Sequence, residues 1–370
     1  MLSFVPGFIR SAAAFIVVLG VLVFVHELGH YLAARWRGVR VETFSIGFGR
    51  AITSWTDRSG TVWRLAWLPL GGYVKLHGQE RPQDVAPEVR AAWIPGETFH
   101  DKSVLSRAIV VAAGPIANFV LAMVLFAGLF IVIGEPVPLP VVGGVLPDSA
   151  AARAGLVIND RILTVAGDPI ATFEDLQHVI TEHPAETVKM VIERAGVQQT
   201  MSVTTESKDV GGHKVGLLGV RGGALEYRHV SVPAALLGGV TQTWNITAET
   251  FSGLAQMISG ARGTDDLGGP LRIAQLSGQV AELGVASLIS FIAVLSVNLG
   301  LINLFPVPVL DGGHLVFYLF EGLRGRPLPQ RAQEYGFRAG LAFLACLFVF
   351  ATWNDLTHLG LFRWVASLIG

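Results

Sequence analysis

The sequence predicts a mainly α-helical polytopic membrane protein, with four transmembrane helices and one small α+β domain inserted between the second and third. Three observations predict it. The 370 residues are 51% hydrophobic and only 15% charged, with a mean hydropathy of +0.53, whereas ordinary soluble chains carry roughly 25% charged residues. Four segments are long and apolar enough to cross a bilayer. Between the second and third of them, short β-rich runs alternate with turn residues.

The first span covers about 11–34. Apart from Glu27, no side chain between Arg10 and Arg35 is an acid, a lysine or an arginine. Arg10 followed by an apolar core imitates a secretion signal. The run continues past the usual length of such a core, and no small-residue cleavage site precedes His26, so it reads as a retained anchor. The second span lies between Arg107 and Glu135, the third between Glu282 and Asp311. The fourth covers about 339–354 and ends at Trp353, a residue suited to the membrane interface. Cys346, the single cysteine, lies in that fourth apolar run and reads as a core or lipid-facing residue. One cysteine excludes an internal disulfide and any cysteine-rich metal site.

Loop charge sets the orientation. Residues 35–107 carry eleven lysines and arginines, and the connection after the third span carries Arg324, Arg326, Arg331 and Arg338. Both are expected on the cytoplasmic side. The segment 135–282 then lies outside, and the C-terminal end of the first helix lies near the cytoplasmic face. The expected divisions are 1–134, 135–225, 226–282 and 283–370. Within the second, Val141–Leu146 and Arg161–Val165 read as strands. Ser149 caps a short helix stopped by Gly155, and Gly167-Asp168-Pro169 is a turn. Thr172 with Asp175 opens a helix to about His183. Thr187–Arg194 and Gln198–Thr204 form a hairpin across Ala195-Gly196. Residues 230–282 are helical in pattern, and the sequence leaves open whether they lie on the outer membrane face or pack on the α+β domain.

The chemistry concentrates in His26-Glu27-Leu28-Gly29-His30, at membrane depth, where ionisable groups are costly and kept mainly for function. Residues four apart share a helix face, so His26 and His30 can bind one Zn²⁺ while Glu27 takes a proton from metal-bound water. A third ligand is needed. Asp311 is the best candidate, because Pro306 and Pro308 break the helix before it and an unwound segment can turn its carboxylate toward the first span. His314 is the alternative; a supporting or packing role suits it better. The remaining histidines, His77, His100, His178, His183, His213, His229 and His358, lack metal spacing and read as ordinary polar positions. Gly47-Phe48-Gly49 reads as a turn or hairpin element, not a phosphate cradle, since no Gly-Lys-Ser/Thr follows.

These motifs, with Asn303-Leu304-Phe305-Pro306-Val307-Pro308-Val309-Leu310-Asp311-Gly312-Gly313-His314, resemble the site-2 protease family (peptidase M50), and more narrowly its regulator-of-sigma-E branch. The segment 146–162 resembles a bacterial protease PDZ domain. Gly114-Pro115-Ile116-Ala117-Asn118-Phe119 is similar to the family's second span, whose small residues permit close helix approach. Gly71–Leu76 resembles its membrane-associated β-hairpin, which takes up substrate as an added strand. The resemblance implies His26, His30 and Asp311 as zinc ligands and Glu27 as general base. It implies substrate contacts at Asn303, Gly72, Tyr73 and Val74. It also implies an intramembrane metallopeptidase of the cell inner membrane acting on pre-trimmed single-span proteins such as anti-sigma factors, or on remnant signal peptides. The chain departs from well-studied relatives in carrying one PDZ domain rather than two in tandem.

Two other readings compete. A membrane-anchored PDZ scaffold needs no His26/Glu27/His30/Asp311 set. A metal transporter needs polar residues along several spans, and spans two and four have almost none. The net charge of −1 leaves no basic footprint for nucleic acid. The expected partners are transmembrane substrates and the lipid bilayer, with the chain itself a monomer.

Overall fold

The computed structural model describes residues 4–80, 85–210, 213–260 and 268–358. In chain order the elements are α1 (Phe4–Trp36), β1 (Val41–Thr56), β2 (Val62–Leu76), α2 (Pro87–Ala91), α3 (Val104–Val132), β3 (Glu135–Val145), α4 (Ala150–Ala154), β4 (Arg161–Val165) and β5 (Asp168–Pro169). There follow α5 (Phe173–Thr181), β6 (Thr187–Arg194), β7 (Val197–Thr204), β8 (Glu206–Val210), β9 (His213–Leu217) and β10 (Val220–Arg228). The chain continues with α6 (Val232–Ile258), α7 (Pro270–Glu282), α8 (Val285–Leu304), α9 (Asp311–Arg324) and α10 (Gln330–His358). Two compact units result: residues 1–128 with 236–370, and residues 129–235.

In the first unit, α1, α3, α8 and α10 are each long and apolar enough to span a membrane. Val18, Leu22 and Ile292 form a buried seam between α1 and α8, closed by Leu121 and Leu125 of α3. Small residues set how near these helices come. A Cβ on Gly29 would overlap the Ala113 carbonyl and lie 2.7 Å from Ala117 Cβ, so only glycine lets α1 meet α3 there. Gly300 of α8 does the same against Pro115 O and Phe119 of α3. Cys346 is exposed on α10, as a lipid-facing residue would be.

β1 and β2 form an antiparallel sheet of their own, but both strands bend and so pair twice. Residues 72–76 run against 41–46, with Phe44 opposite Val74 and Ile46 opposite Gly72. Residues 62–65 run against 53–56 and also lie beside 43–46, with Phe44 opposite Trp63. Positive φ at Gly47, Gly49 and Gly71 makes the bends possible. Gly71–Leu76 is therefore the edge of a folded sheet rather than one arm of a simple hairpin. Phe44, 1% exposed, anchors this sheet by stacking on Trp63 and meeting Tyr31 of α1 edge-on.

The stretch after residue 230 is helical as expected, forming α6 and α7. α6 lies along α3 and α8. Gly239 fits where a Cβ would come 3.0 Å from Ala127 N, Thr250 Oγ1 lies 3.2 Å from Asn298 Oδ1, and Phe251 packs edge-on against Phe305. α7 packs along α1 at Gly278 and Ser11, and Arg10 pairs with Glu282. Asp355 of α10 caps α7, accepting from Gly269 N (2.8 Å), Leu271 N (3.0 Å) and Arg272 N (3.0 Å).

The second unit is a sheet in the order β10-β3-β4-β6-β7, with β5 added on β4, over a core that includes Val142, Ile162, Leu176, Met190 and Ile192. The local signals read from the sequence produce their elements. Ser149 Oγ accepts from Ala152 N, Gly155 ends α4 at φ +78°, and Thr172 with Asp175 forms a capping box on α5. The first turn lies one residue earlier than expected, at Ala166-Gly167, with Asp168–Pro169 already on the returning strand. Asp160 is fully buried and held by two 2.7 Å bonds from Arg194. Burial alone would raise its pKa; the guanidinium and the Val157 N–H outweigh that and hold the carboxyl below its ordinary value. β8, β9 and β10 have no counterpart in the sequence reading. β10 is an edge strand exposed along most of its length, without the inward-facing alternation that betrays a strand.

Candidate metal centre

His26 and His30 lie on the face of α1 that meets α3. Their ring centroids are 4.8 Å apart and nearly perpendicular, and their Nε2 atoms are 3.2 Å apart. The opposite ring nitrogens are engaged elsewhere. His30 Nδ1 lies 2.9 Å from Val110 O, and His26 Nδ1 lies 3.1 Å from the Asn118 amide. Both Nε2 atoms are thereby turned toward one point.

Asp311 arrives at that point from the other end of the unit. α8 stops at Leu304, the proline-containing turn reverses the chain, and Asp311 is the first residue of α9. Gly312 and Gly313 make the turn possible. A Cβ on Gly312 would overlap the carbonyls of Leu304 and Phe305, and one on Gly313 would lie 2.5 Å from Pro308 N. The carboxylate Oδ2 sits 3.2 Å from His26 Nε2 and 3.4 Å from His30 Nε2, with no hydrogen-bond partner of its own. Among the described residues these three form the one group of His, Cys, Asp and Glu whose ligand atoms converge, all within 4.8 Å of one another. His314 lines the same cavity but lies outside that group, its ring edge-on to Phe317. Three crowded nitrogen and oxygen donors and a buried orphan carboxylate oxygen suit a divalent cation with one coordination position left for water, the donor set of catalytic zinc.

The cavity around them measures about 570 Å³ and is lined also by Glu27, Gly72, Tyr73, Val74 and Asn303. Every candidate residue named from the sequence therefore meets in one space. Glu27 is one residue along α1 from His26 and shares the cavity with Val74 of the sheet edge. Gly72 lets the sheet edge come this close: a Cβ there would lie 3.0 Å from Glu27 Cγ and 2.8 Å from Val23 Cγ1. Asn303 donates to Leu299 O within its own helix (3.0 Å). At the far end of the cavity Arg107 pairs with Glu321 at 2.7 Å over the Tyr318 ring. Two further residues belong to the site, Gly114 and Asn118; the sequence marks them only as part of the second span's small-residue motif, and their place beside the histidines appears once α3 meets α1.

Two helix-borne histidines, a distant aspartate and a glutamate beside them are a set of groups of the kind metallopeptidases use. Comparison with known proteins gives the same class. The chain belongs to peptidase family M50, whose profile matches residues 14–347, and it is a metalloprotease. A protein of Rhizobium meliloti (strain 1021) bearing the name zinc metalloprotease is 45% identical over 363 residues, covering 93% of this chain and 96% of its own. The regulator of sigma-E protease of Salmonella typhimurium (strain 14028s) is 34% identical over an alignment of 451 residues, covering 94% of this chain and 99% of its own. That alignment is longer than the whole 370-residue chain, so this relative carries additional residues. Among solved structures, the PDZ domain of an SdrC-like protein from Listeria monocytogenes is 20% identical, with a TM-score of 0.19, over 22% of this chain and 82% of its own.

Proposed function

We propose that this metalloprotease cleaves peptide bonds within transmembrane segments of single-span membrane proteins already trimmed outside the bilayer. Anti-sigma-factor-like proteins and remnant signal peptides are the substrate class. The observation that carries the reading is the convergence of His26 Nε2, His30 Nε2 and Asp311 Oδ2 beside Glu27 on a helix able to span a membrane.

In this reading His26, His30 and Asp311 hold Zn²⁺. The ion, when bound, acidifies a water molecule and polarises the scissile carbonyl. Glu27 accepts the proton of the attacking water and delivers it to the leaving nitrogen. The substrate helix has to unwind first, because its carbonyls are already hydrogen-bonded. Gly72, Tyr73 and Val74 offer the edge of the β1–β2 sheet to the extended strand, and Asn303 turns its amide from Leu299 O to the substrate backbone. The positive charge of residues 35–107 and 324–338 supports a site near the cytoplasmic face of the inner membrane. The unit at 129–235 then acts outside as a single PDZ domain that excludes bulky ectodomains. A membrane-anchored scaffold uses none of the four converging residues.

The test is cleavage of a single-span reporter in proteoliposomes by wild type and Glu27→Gln, with bound zinc measured in both. Wild type is expected to cleave inside the span. Glu27→Gln is expected to keep its zinc and lose cleavage by at least about 10²-fold. Equal cleavage by the two proteins would remove Glu27 as the base.

A further inference from the structure

His26 lies between two groups. Its Nε2 faces Asp311 Oδ2 and His30 Nε2, both at 3.2 Å, and its Nδ1 faces the Asn118 carboxamide at 3.1 Å. Asn118 is completely buried on α3. Its backbone is fixed as well, because Ser296 Oγ of α8, itself 0% exposed, donates to Asn118 O at 2.7 Å. The amide presents Nδ2 to the ring and leaves Oδ1 buried without a partner.

A neutral imidazole carries one proton. When Nε2 gives its lone pair to a cation, that proton sits on Nδ1 and needs an acceptor. The two ends of a carboxamide are nearly equal in size, so a half-turn about its last torsion exchanges Oδ1 and Nδ2 without repacking. Either orientation leaves one end of the amide unpaired, but only one of them gives the ring proton an acceptor. His30 already has the corresponding arrangement, with Val110 O on its Nδ1. The two acceptors stand on the same face of α3, eight residues apart, opposite histidines that are four apart on α1.

We propose that Asn118 is a positioning residue for the metal centre. Its Oδ1 accepts the Nδ1–H of His26 and holds that ring in the tautomer whose Nε2 binds the cation. The inference rests on the reading of His26 as a metal ligand. It assigns a function to a polar residue of the second span that small-residue packing leaves unexplained, and it distinguishes the two ends of one side chain.

The test uses the full-length protein in detergent, stripped and reloaded with Co²⁺. Affinity is read by chelator competition and geometry by the visible Co²⁺ bands. Apo-protein melting monitors the fold. Asn118→Leu, similar in shape but with no acceptor, is expected to hold Co²⁺ about 10–100-fold more weakly, the range for losing the outer hydrogen bond of a ligating histidine. Asn118→Asp, which has acceptors and no donor, is expected to retain affinity at or above that of wild type, with unshifted bands. A purely structural amide donating through Nδ2 gives the opposite result for Asn118→Asp. A folded Asn118→Asp that loses Co²⁺, or a folded Asn118→Leu that binds as wild type does, would overturn the inference while leaving the metal centre standing. Wild type that binds no Co²⁺ would overturn the reading of the centre itself.

Discussion

Gly114 of α3 lies directly against the His30 ring: a Cβ on Gly114 would overlap His30 Nε2 and come 2.9 Å from His26 Cε1. Val110, Gly114 and Asn118 follow one another at four-residue intervals and share one face of α3. The first offers a carbonyl to His30, the second offers empty space, and the third offers an amide to His26. α3 is thus the template on which the two imidazoles of α1 are set, and the Gly29–Ala113 approach brings it close enough to serve.

Gly114→Ala is accordingly expected to displace both rings while leaving the helices in place. A misplacement of about 1 Å is enough to lower turnover about 10²-fold, so cleavage is expected to fall by that much and bound zinc to fall with it. Gly128→Ala in the same helix is the control, because nothing lies within 4 Å of its Cβ. It is expected to keep both zinc and activity. Metal analysis and reporter cleavage on the same preparations check the pair; a Gly114→Ala protein with full zinc and full rate would show that the rings are not set by α3.

Gly72 performs a different task at the opposite wall. A Cβ there would lie 2.7 Å from Ser45 O, 2.8 Å from Val23 Cγ1 and 3.0 Å from Glu27 Cγ, so a larger residue pushes the sheet edge off α1 without touching the ligand atoms. Gly72→Val is expected to retain zinc and to lose cleavage about 10-fold or more, with the loss concentrated in kcat/KM as the strand site is displaced. Unchanged kinetics would separate the sheet edge from substrate binding.

The parts of the site legible in the sequence were those written locally. His26, Glu27 and His30 declare themselves by helical spacing inside an apolar run. Asp311 does so through the prolines before it and the glycines after it, which fit no uninterrupted helix. The caps at Ser149 and Thr172 are equally local. What stayed hidden depends on partners far along the chain. Asn118 is one amide among apolar residues until α1 is laid against α3. The double pairing of β1 and β2 is set by three glycines whose φ values cannot be read from their identity. α6 carries its apolar residues at helical spacing, but that period does not say whether lipid, sheet or helix covers them. Spans two and four are nearly free of polar groups in sequence, and Asn118 in the second and Asp355 just beyond the fourth are both committed to specific contacts.

Asp355 lies one residue past the expected end of the fourth span and is 2% exposed. α7 has no side-chain cap of its own: Gly269 stands at the N-cap position and Pro270 follows it. The free N–H groups of a first helical turn need acceptors, and the Asp355 carboxylate supplies them across 83 to 86 residues of chain, to Gly269, Leu271 and Arg272. Removing it leaves the buried Gly269 donor unsatisfied, at about 1–3 kcal/mol, and takes the acceptor from the part-buried donors of Leu271 and Arg272, which water can partly replace. Asp355→Ala is therefore expected to loosen α7 from α10, lower the thermal midpoint of the detergent-solubilised protein by several degrees and raise amide exchange at 269–272 first. Asp355→Asn keeps one acceptor oxygen and is expected to fall between the two. Hydrogen exchange read by mass spectrometry separates a local release of α7 from a global loss of stability, and protection at 269–272 that survives Asp355→Ala would show that these amides are satisfied by some other group.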